Sequence, residues 1–204
     1  MSNFIKLLAI DTSTDACSVA ISIDNKIKEK YQLAPRLHSR LLLPMIDSLL
    51  KETGITLFEL DAFAFGRGPG SFTGVRIAGS VVQALGFAMN KPIVPVSTLR
   101  ALAQGAYRER KIEKIFANLD ARMEEVYWGL FEIDKEGIMQ AVGDEHVQSI
   151  IQAKSPDDSW QPVTGYPHAQ DIAKIALAEY ELGHTVSAID ALPVYIRDEV
   201  AKKP

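Results

Sequence analysis

Nine consecutive residues constrain the fold of this chain more than any others. Gly66-Arg67-Gly68-Pro69-Gly70-Ser71-Phe72-Thr73-Gly74 places four glycines and a proline between two apolar segments. Residues 61–65 read as a strand and residues 75–89 as a helix, so the run is a strand-to-helix connection. At such a junction, backbone N–H groups and the helix dipole favour an anion. A tight connection that needs glycine for positive φ explains the same spacing, and the two readings stand side by side. The run is not a Walker A loop, because no Gly-Lys-Ser/Thr occurs. Nor is it a dinucleotide fingerprint, since Gly66, Gly68 and Gly70 alternate and the later acid is not evident.

Around this connection the chain alternates short strands with helices. Residues 4–10 are an apolar run ending in the polar turn Asp11-Thr12-Ser13-Thr14-Asp15. Residues 17–23 alternate with period two, Asp24-Asn25-Lys26 is a turn, and residues 27–33 return as a third strand. A helix is expected over residues 37–53, with Gly54 as its stop and Pro44 either kinking or beginning it. Residues 92–96 form a strand, and Ser97 or Thr98 caps the helix that follows. The charged patch at residues 108–114 resembles a linker. Strands are expected at residues 115–119, at residues 126–131 and from Ile138 onward. Residues 146–153 and 168–181 read as helices, with a proline-containing strand between them.

The two halves open alike. A strand ends in aspartate at Asp11 and at Asp120, a second strand is centred eight residues on at Val19 and Trp128, and a turn aspartate follows at Asp24 and Asp134. Residue identity between the halves is low. Read structurally, the pattern is a duplicated strand lobe with one aspartate per lobe at a shared cleft. Actin-like ATPases and sugar kinases are built this way. In that frame Asp11 would hold a cation through water and Ser13 would touch a phosphate. Hydroxyls that satisfy their own turn are the commoner case for such a sequence.

Composition excludes several function classes. The net charge is −4 and the 22 basic residues are scattered, unlike the basic stripe of a dedicated nucleic-acid binder. Cys17 is the only cysteine, so no internal disulfide forms. No signal-peptide layout opens the chain and no run reaches the ~20 apolar residues of a membrane span, so cytoplasm is the default expectation. His38, His146, His168 and His184 include no i, i+4 pair, which argues against a histidine–cysteine metal site. Ser71 is not in a nucleophile elbow and Cys17 lies in a strand, which leaves a protease the least supported class.

Two helices carry more apolar surface than a small lobe needs. Leu37, Leu41, Leu42, Leu43, Met45, Ile46, Leu49 and Leu50 cover more than one face of the first. The second, from Val75 to Met89, has little polar surface. A helix apolar all round must be covered. The chain's own sheet is one cover, and a protein–protein interface made from both helices is the sharper expectation.

The glycine-rich run, extended through Val75-Arg76, resembles the bacterial TsaB (YeaZ) family. So do Asp11-Thr12-Ser13, His38-Ser39-Arg40-Leu41-Leu42-Leu43-Pro44-Met45, Val96-Ser97-Thr98-Leu99, Asp120-Ala121-Arg122-Met123-Glu124-Glu125-Val126-Tyr127-Trp128 and Pro193-Val194-Tyr195-Ile196-Arg197, in that order along the whole chain. The resemblance implies an α/β, actin-like ATPase (ASKHA, duplicated ribonuclease-H-like) fold with two lobes, residues 1–107 and 108–204. It implies a non-catalytic subunit that is a homodimer alone and binds TsaD, together with TsaE, for threonylcarbamoyl transfer to adenosine of tRNA. Transferred onto this sequence, the interface is Leu41, Leu42, Met45, Ile46, Val81, Val82 and Leu85. The nucleotide or anion loop would be Asp11, Thr12, Ser13, Gly68, Gly70, Ser71, Thr73 and Gly74. No catalytic residue, metal or intrinsic cofactor is expected. ADP or ATP at the subunit junction is left open, and tRNA is reached only through the assembled complex. Family members usually carry a longer segment where Thr164-Gly165 here meets Tyr166-Pro167, and a longer tail after Val200-Ala201-Lys202-Lys203. The alternative class is an active ATPase or small-molecule kinase using Asp11, Asp120 and the glycine-rich loop. Against it, Arg122-Met123-Glu124-Glu125 puts two acids where a second phosphate loop would be.

Overall fold

Apolar side chains on both faces of Leu7–Asp11 (β1) place that strand at the centre of a sheet, since neither face tolerates water. The computed structural model describes residues 5–24 and 26–197. Phe4, Asn25 and residues 200–203 lie outside the described residues. β1 pairs antiparallel with Ala16–Ile23 (β2), which pairs antiparallel with Lys26–Leu33 (β3). On its other side β1 runs parallel to Ala62–Gly66 (β4), and β4 runs parallel to Ile93–Val96 (β5). The order is β3-β2-β1-β4-β5.

The second half repeats the plan. Lys114–Arg122 (β6), Glu125–Ile133 (β7) and Met139–Ala141 (β8) are antiparallel neighbours. β6 is also parallel to a late strand, Gln161–Thr164 (β10). The order β10-β6-β7-β8 matches β4-β1-β2-β3 strand for strand. Asp11 and Asp120 therefore stand at corresponding strand ends. The duplication expected from the two aspartate-ended openings is present.

The halves differ in what joins the third strand to the fourth. The first uses a helix, His38–Thr53 (α1), which ends in a left-handed Gly54. Pro44 lies inside α1, and the helix runs through it. Its missing N–H falls on an exposed turn, where water can satisfy the freed carbonyl. In the second half, residues 146–153 are not the helix that was expected. His146–Ser149 is a strand (β9) that pairs antiparallel with residues 125–128 of β7. The segment is too short for a helix to stand without a packing face. Trp128 fixes it instead, with its ring 4.4 Å from that of His146 and its Nε1 donating to Gln148 at 3.0 Å.

Among the described residues, four α-helices cover the sheets. α1 and Phe72–Met89 (α2) pack on one face of the first sheet, where Leu42, Ile46, Leu49, Ala78 and Val82 meet Leu8, Ile10, Val19, Phe63 and Phe65. Ala169–Glu181 (α4) closes the opposite face. There Ala169, Ile172, Ala173 and Ala176 lie on Ala9, Ala20, Ala62 and Ala64, so helix and sheet approach closely. Thr98–Arg110 (α3) packs on the second sheet through Leu99, Leu102, Ala103 and Ala106. The first three residues of the charged patch, 108–110, thus belong to α3, and Lys114 already belongs to β6. Arg108 bonds the buried Asp171 of α4 at 2.9 Å and 3.1 Å.

Candidate functional site

α2 begins at Phe72, three residues before the expected start, because Ser71 caps it by accepting the Gly74 N–H. The glycines before and within that first turn are explained by what lies against them. A Cβ at Gly66 would stand 1.9 Å from Asp11 Oδ2, and one at Gly74 would stand 1.9 Å from the Thr12 carbonyl. The Gly70 position is pressed onto the Ser13 carbonyl in the same way. Hydrogen bonds lock this approach, with Ser71 N–H donating to Ser13 O at 2.7 Å and Thr12 Oγ1 donating to Gly74 O at 2.7 Å. Arg67 N–H donates to Val96 O at 2.8 Å, and Gly68, at φ +107°, accepts from Thr98 N–H at 2.9 Å.

These contacts decide which residues of the expected anion loop face the cleft. Asp11, Thr12 and Ser13 are fully buried. The Asp11 carboxylate turns inward and accepts from Ser13 N–H at 3.0 Å and Ser13 Oγ at 2.9 Å. Burial, opposed by the Ser13 donors and the charge of His168, leaves its pKa raised to about 7. Gly68 and Gly74 are buried, and Thr73 lies on the helical face. Of the eight residues expected, Ser13, Gly70 and Ser71 line the cleft between the two sheets.

That cleft has a volume of about 530 Å³. Its far wall is Asp120, Arg122 and Tyr127, with Tyr166 and Tyr195 at its edges. Asp120 accepts the Arg122 N–H at 2.7 Å and pairs with the Arg122 guanidinium at 3.0 Å. Arg122, Met123 and Glu124 all hold left-handed φ, at 65°, 55° and 59°. Arg197 braces this strained turn, with its guanidinium on the Glu125 carboxylate and on the Ala121 carbonyl at 3.2 Å.

The second surface is the outer side of α1 and α2. A groove of about 460 Å³ runs between Ser39 and Leu43 on one helix and Phe72, Ile77 and Val81 on the other. Leu43 is 58 % exposed and Phe87, at the far end of α2, 84 %. The Arg76 guanidinium lies 3.5 Å over the Phe72 ring and donates to Tyr195 Oη at 2.8 Å. Of the expected interface residues, Leu41, Met45, Val81 and Leu85 are partly exposed. Leu42, Ile46 and Val82 are buried in the core under the helices, and Leu42 reaches the groove only at its floor. Leu43, Phe72 and Ile77, which are not among the expected interface residues, also line this groove. The 3.6-residue period separates Leu43 from the inward Leu42 and Ile46, and sets Ile77 one turn before Val81.

The one cysteine is not an activated nucleophile. Burial and the Asp11 charge push the Cys17 thiol up to about 11. His38 faces the Ala16 carbonyl, while His168 and His184 face Glu29 and Glu179. No group of three or more metal-ligating side chains occurs among the described residues.

Comparison with known proteins gives a consistent result. The family model described as "TsaD: tRNA N6-adenosine threonylcarbamoyltransferase" matches residues 22–185. The chain is 35% identical to the tRNA threonylcarbamoyladenosine biosynthesis protein TsaB of Escherichia coli K12, over 97% of each chain. It is 37% identical to the protein of the same name from Haemophilus influenzae, over 97% of this chain and 95% of that one. Both alignments run over 227 positions against the 204 residues here, so those relatives carry residues this chain lacks. The solved structure of YeaZ from Pseudomonas aeruginosa superposes with a TM-score of 0.91 at 43% identity, covering 94% of this chain and all of that one.

Proposed function

Because this chain belongs to the TsaB family of tRNA threonylcarbamoyladenosine biosynthesis proteins, with its actin-like, duplicated ribonuclease-H-like fold, we propose that it is the accessory subunit of a threonylcarbamoyl-transferring assembly. In this reading it binds TsaD, the catalytic relative, through the outer side of α1 and α2, and TsaE joins the pair. It performs no chemistry of its own and meets tRNA only within the assembly.

The observation that supports this most is the open apolar groove between α1 and α2. α2 has a mean hydropathy of 1.3, high enough and long enough by composition to cross a membrane, yet only 33% of it is buried in the fold. An apolar face left open beside Leu43, Ile77 and Val81 is the kind of surface a protein partner covers. In this reading the chain alone pairs the same patch with that of a second copy about a two-fold axis, as a homodimer. The inward turn of Asp11 supports an accessory role over an ATPase or kinase, which needs that carboxylate at the cleft. A nucleotide, where one binds, belongs at the junction of two subunits.

The test is size-exclusion chromatography with light scattering, on the chain alone and mixed with TsaD of the same organism. A homodimer that gives way to a heterodimer is expected. A monomer indifferent to TsaD would sink the accessory reading. ATP turnover lost on Asp11→Asn would establish the ATPase in its place.

A further inference from the structure

Phe72 belongs to both surfaces: it stands in the wall of the cleft between the two sheets and in the wall of the groove between α1 and α2. Its ring is 5.7 Å from that of Tyr195, which lines the cleft, and 3.5 Å from the guanidinium of Arg76, which lines the groove. The Arg76 Nε–H donates to Tyr195 Oη at 2.8 Å and so joins the two sides.

Residues 193–197 continue from this cluster to the other half of the molecule. Pro193 lies against α2 at Gly79, and Val194 N–H donates to Arg67 O at 2.8 Å. Arg197 reaches the β6–β7 turn through the Ala121 carbonyl and the Glu125 carboxylate. Residues 194–197 thereby line the cleft from one half to the other. The hold is light. None of residues 193–197 is buried and none lies in a helix or strand. Among the described residues, the Val194 bond is the one hydrogen bond between backbone groups that this segment makes. A segment held mainly by exposed polar contacts opens at low free energy.

We propose that residues 193–197 are a strap that couples docking on the helical face to the cleft between the two halves, with Arg76 and Tyr195 as the latch. This coupling rests on the reading of α1 and α2 as the partner-binding side. A partner that covers the groove removes water from around the Arg76 guanidinium. The bond to Tyr195 Oη then loses its solvent competitor, and breaking it becomes more costly. Docking therefore favours the latched strap, and Arg197 carries that preference to the turn of the second half. By reciprocity, an unlatched strap weakens docking by the same factor.

The test is methyl NMR on the full chain labelled at its five methionines, titrated with unlabelled TsaD of the same organism. Met45, partly exposed on α1, reports docking. Met123, whose sulfur lies 3.8 Å from the Arg197 guanidinium, reports the strap. Met45→Leu and Met123→Leu assign the two signals. Both are expected to move along one saturation curve. Tyr195→Phe keeps the ring and loses the acceptor. In that variant Met45 should still move, Met123 should stay in place, and TsaD should bind about fivefold more weakly. Its melting temperature shows that it folds. A Met123 signal that stays still in the parent while Met45 moves would overturn the coupling and leave the docking surface standing. Equal movement of Met123 in parent and variant would overturn it too, because the signal would then reach that turn without the latch. A still Met45 would remove the docking surface and the coupling with it.

Discussion

Gly66 is shaped by Asp11: the space a Cβ would take at position 66 is filled by the Asp11 carboxylate, whose Oδ2 would be 1.9 Å away. Neither side can yield, because β4 is paired on both edges and Asp11 is held by Ser13. Gly66→Ala is therefore expected to lower stability by about 3 kcal/mol or more, the scale of overpacking a dense core. Urea denaturation of the purified variant measures it, and a loss below about 1 kcal/mol would contradict the packing argument.

Asp11 gives the fold a pH dependence of definite sign. Its pKa is about 7 in the folded chain against 3.8 as the ordinary value, so folding takes up a proton between those limits. This group's contribution to stability is greatest below the lower value, falls as pH rises toward 7, and is level above it. The full span is about 4 kcal/mol as a ceiling, from the usual conversion of pKa units to free energy. Asp11→Asn should remove this slope while its side-chain oxygen still accepts from Ser13. Urea midpoints from pH 5 to pH 8 should diverge between variant and parent, the variant gaining. Parallel profiles would place Asp11 in a wetter setting.

Neighbouring residues of α1 should separate folding from assembly. Leu42 is 1 % exposed and Leu43 58 %. Leu42→Ala should cost about 2–5 kcal/mol of stability. Leu43→Glu should change stability by no more than about 0.5 kcal/mol yet weaken the proposed helical-face association at least tenfold. Thermal melts and light scattering on the same preparations read both effects. Equal association by Leu43→Glu and the parent would move the interface elsewhere.

The turn after β6 stores strain in side-chain-bearing residues at left-handed φ. Met123 is 70 % exposed and held at φ 55°. Met123→Gly should raise stability by about 0.5–1 kcal/mol, since glycine adopts that conformation without steric cost. A chemical-denaturation midpoint that falls would show that the Met123 contact with Arg197 outweighs the strain.

Period-two and 3.6-residue patterns made most elements legible, along with the duplicated strand order. The weak match of Asp11 with Asp120 corresponds to equivalent sheet positions because strand pairing, not side-chain identity, is what repeats. β9 was misread because His146-Val147-Gln148-Ser149 carries too few residues for a period, and only the edge of β7 decides its conformation. The glycine-rich run was found, but its purpose was ambiguous. Close backbone approach and anion binding demand the same residue, and the atoms across from Gly66, Gly70 and Gly74 come from a turn more than fifty residues earlier in the sequence, while Gly68 faces the Val194 carbonyl. The split between Leu42 and Leu43 was within reach of the helical period.

The alanine-lined contact of α4 with the first sheet has a consequence for biosynthesis. Leu7, Ala9 and Ala20 leave the ribosome well before Ala169, Ile172 and Ala173, which cover them. Until that helix emerges, one side of the central strands stays bare to water. The emerging chain must hold that surface open while the second sheet is being made, exposed to aggregation or to a chaperone. Closure of the first sheet thus waits for a helix that lies far along the polypeptide.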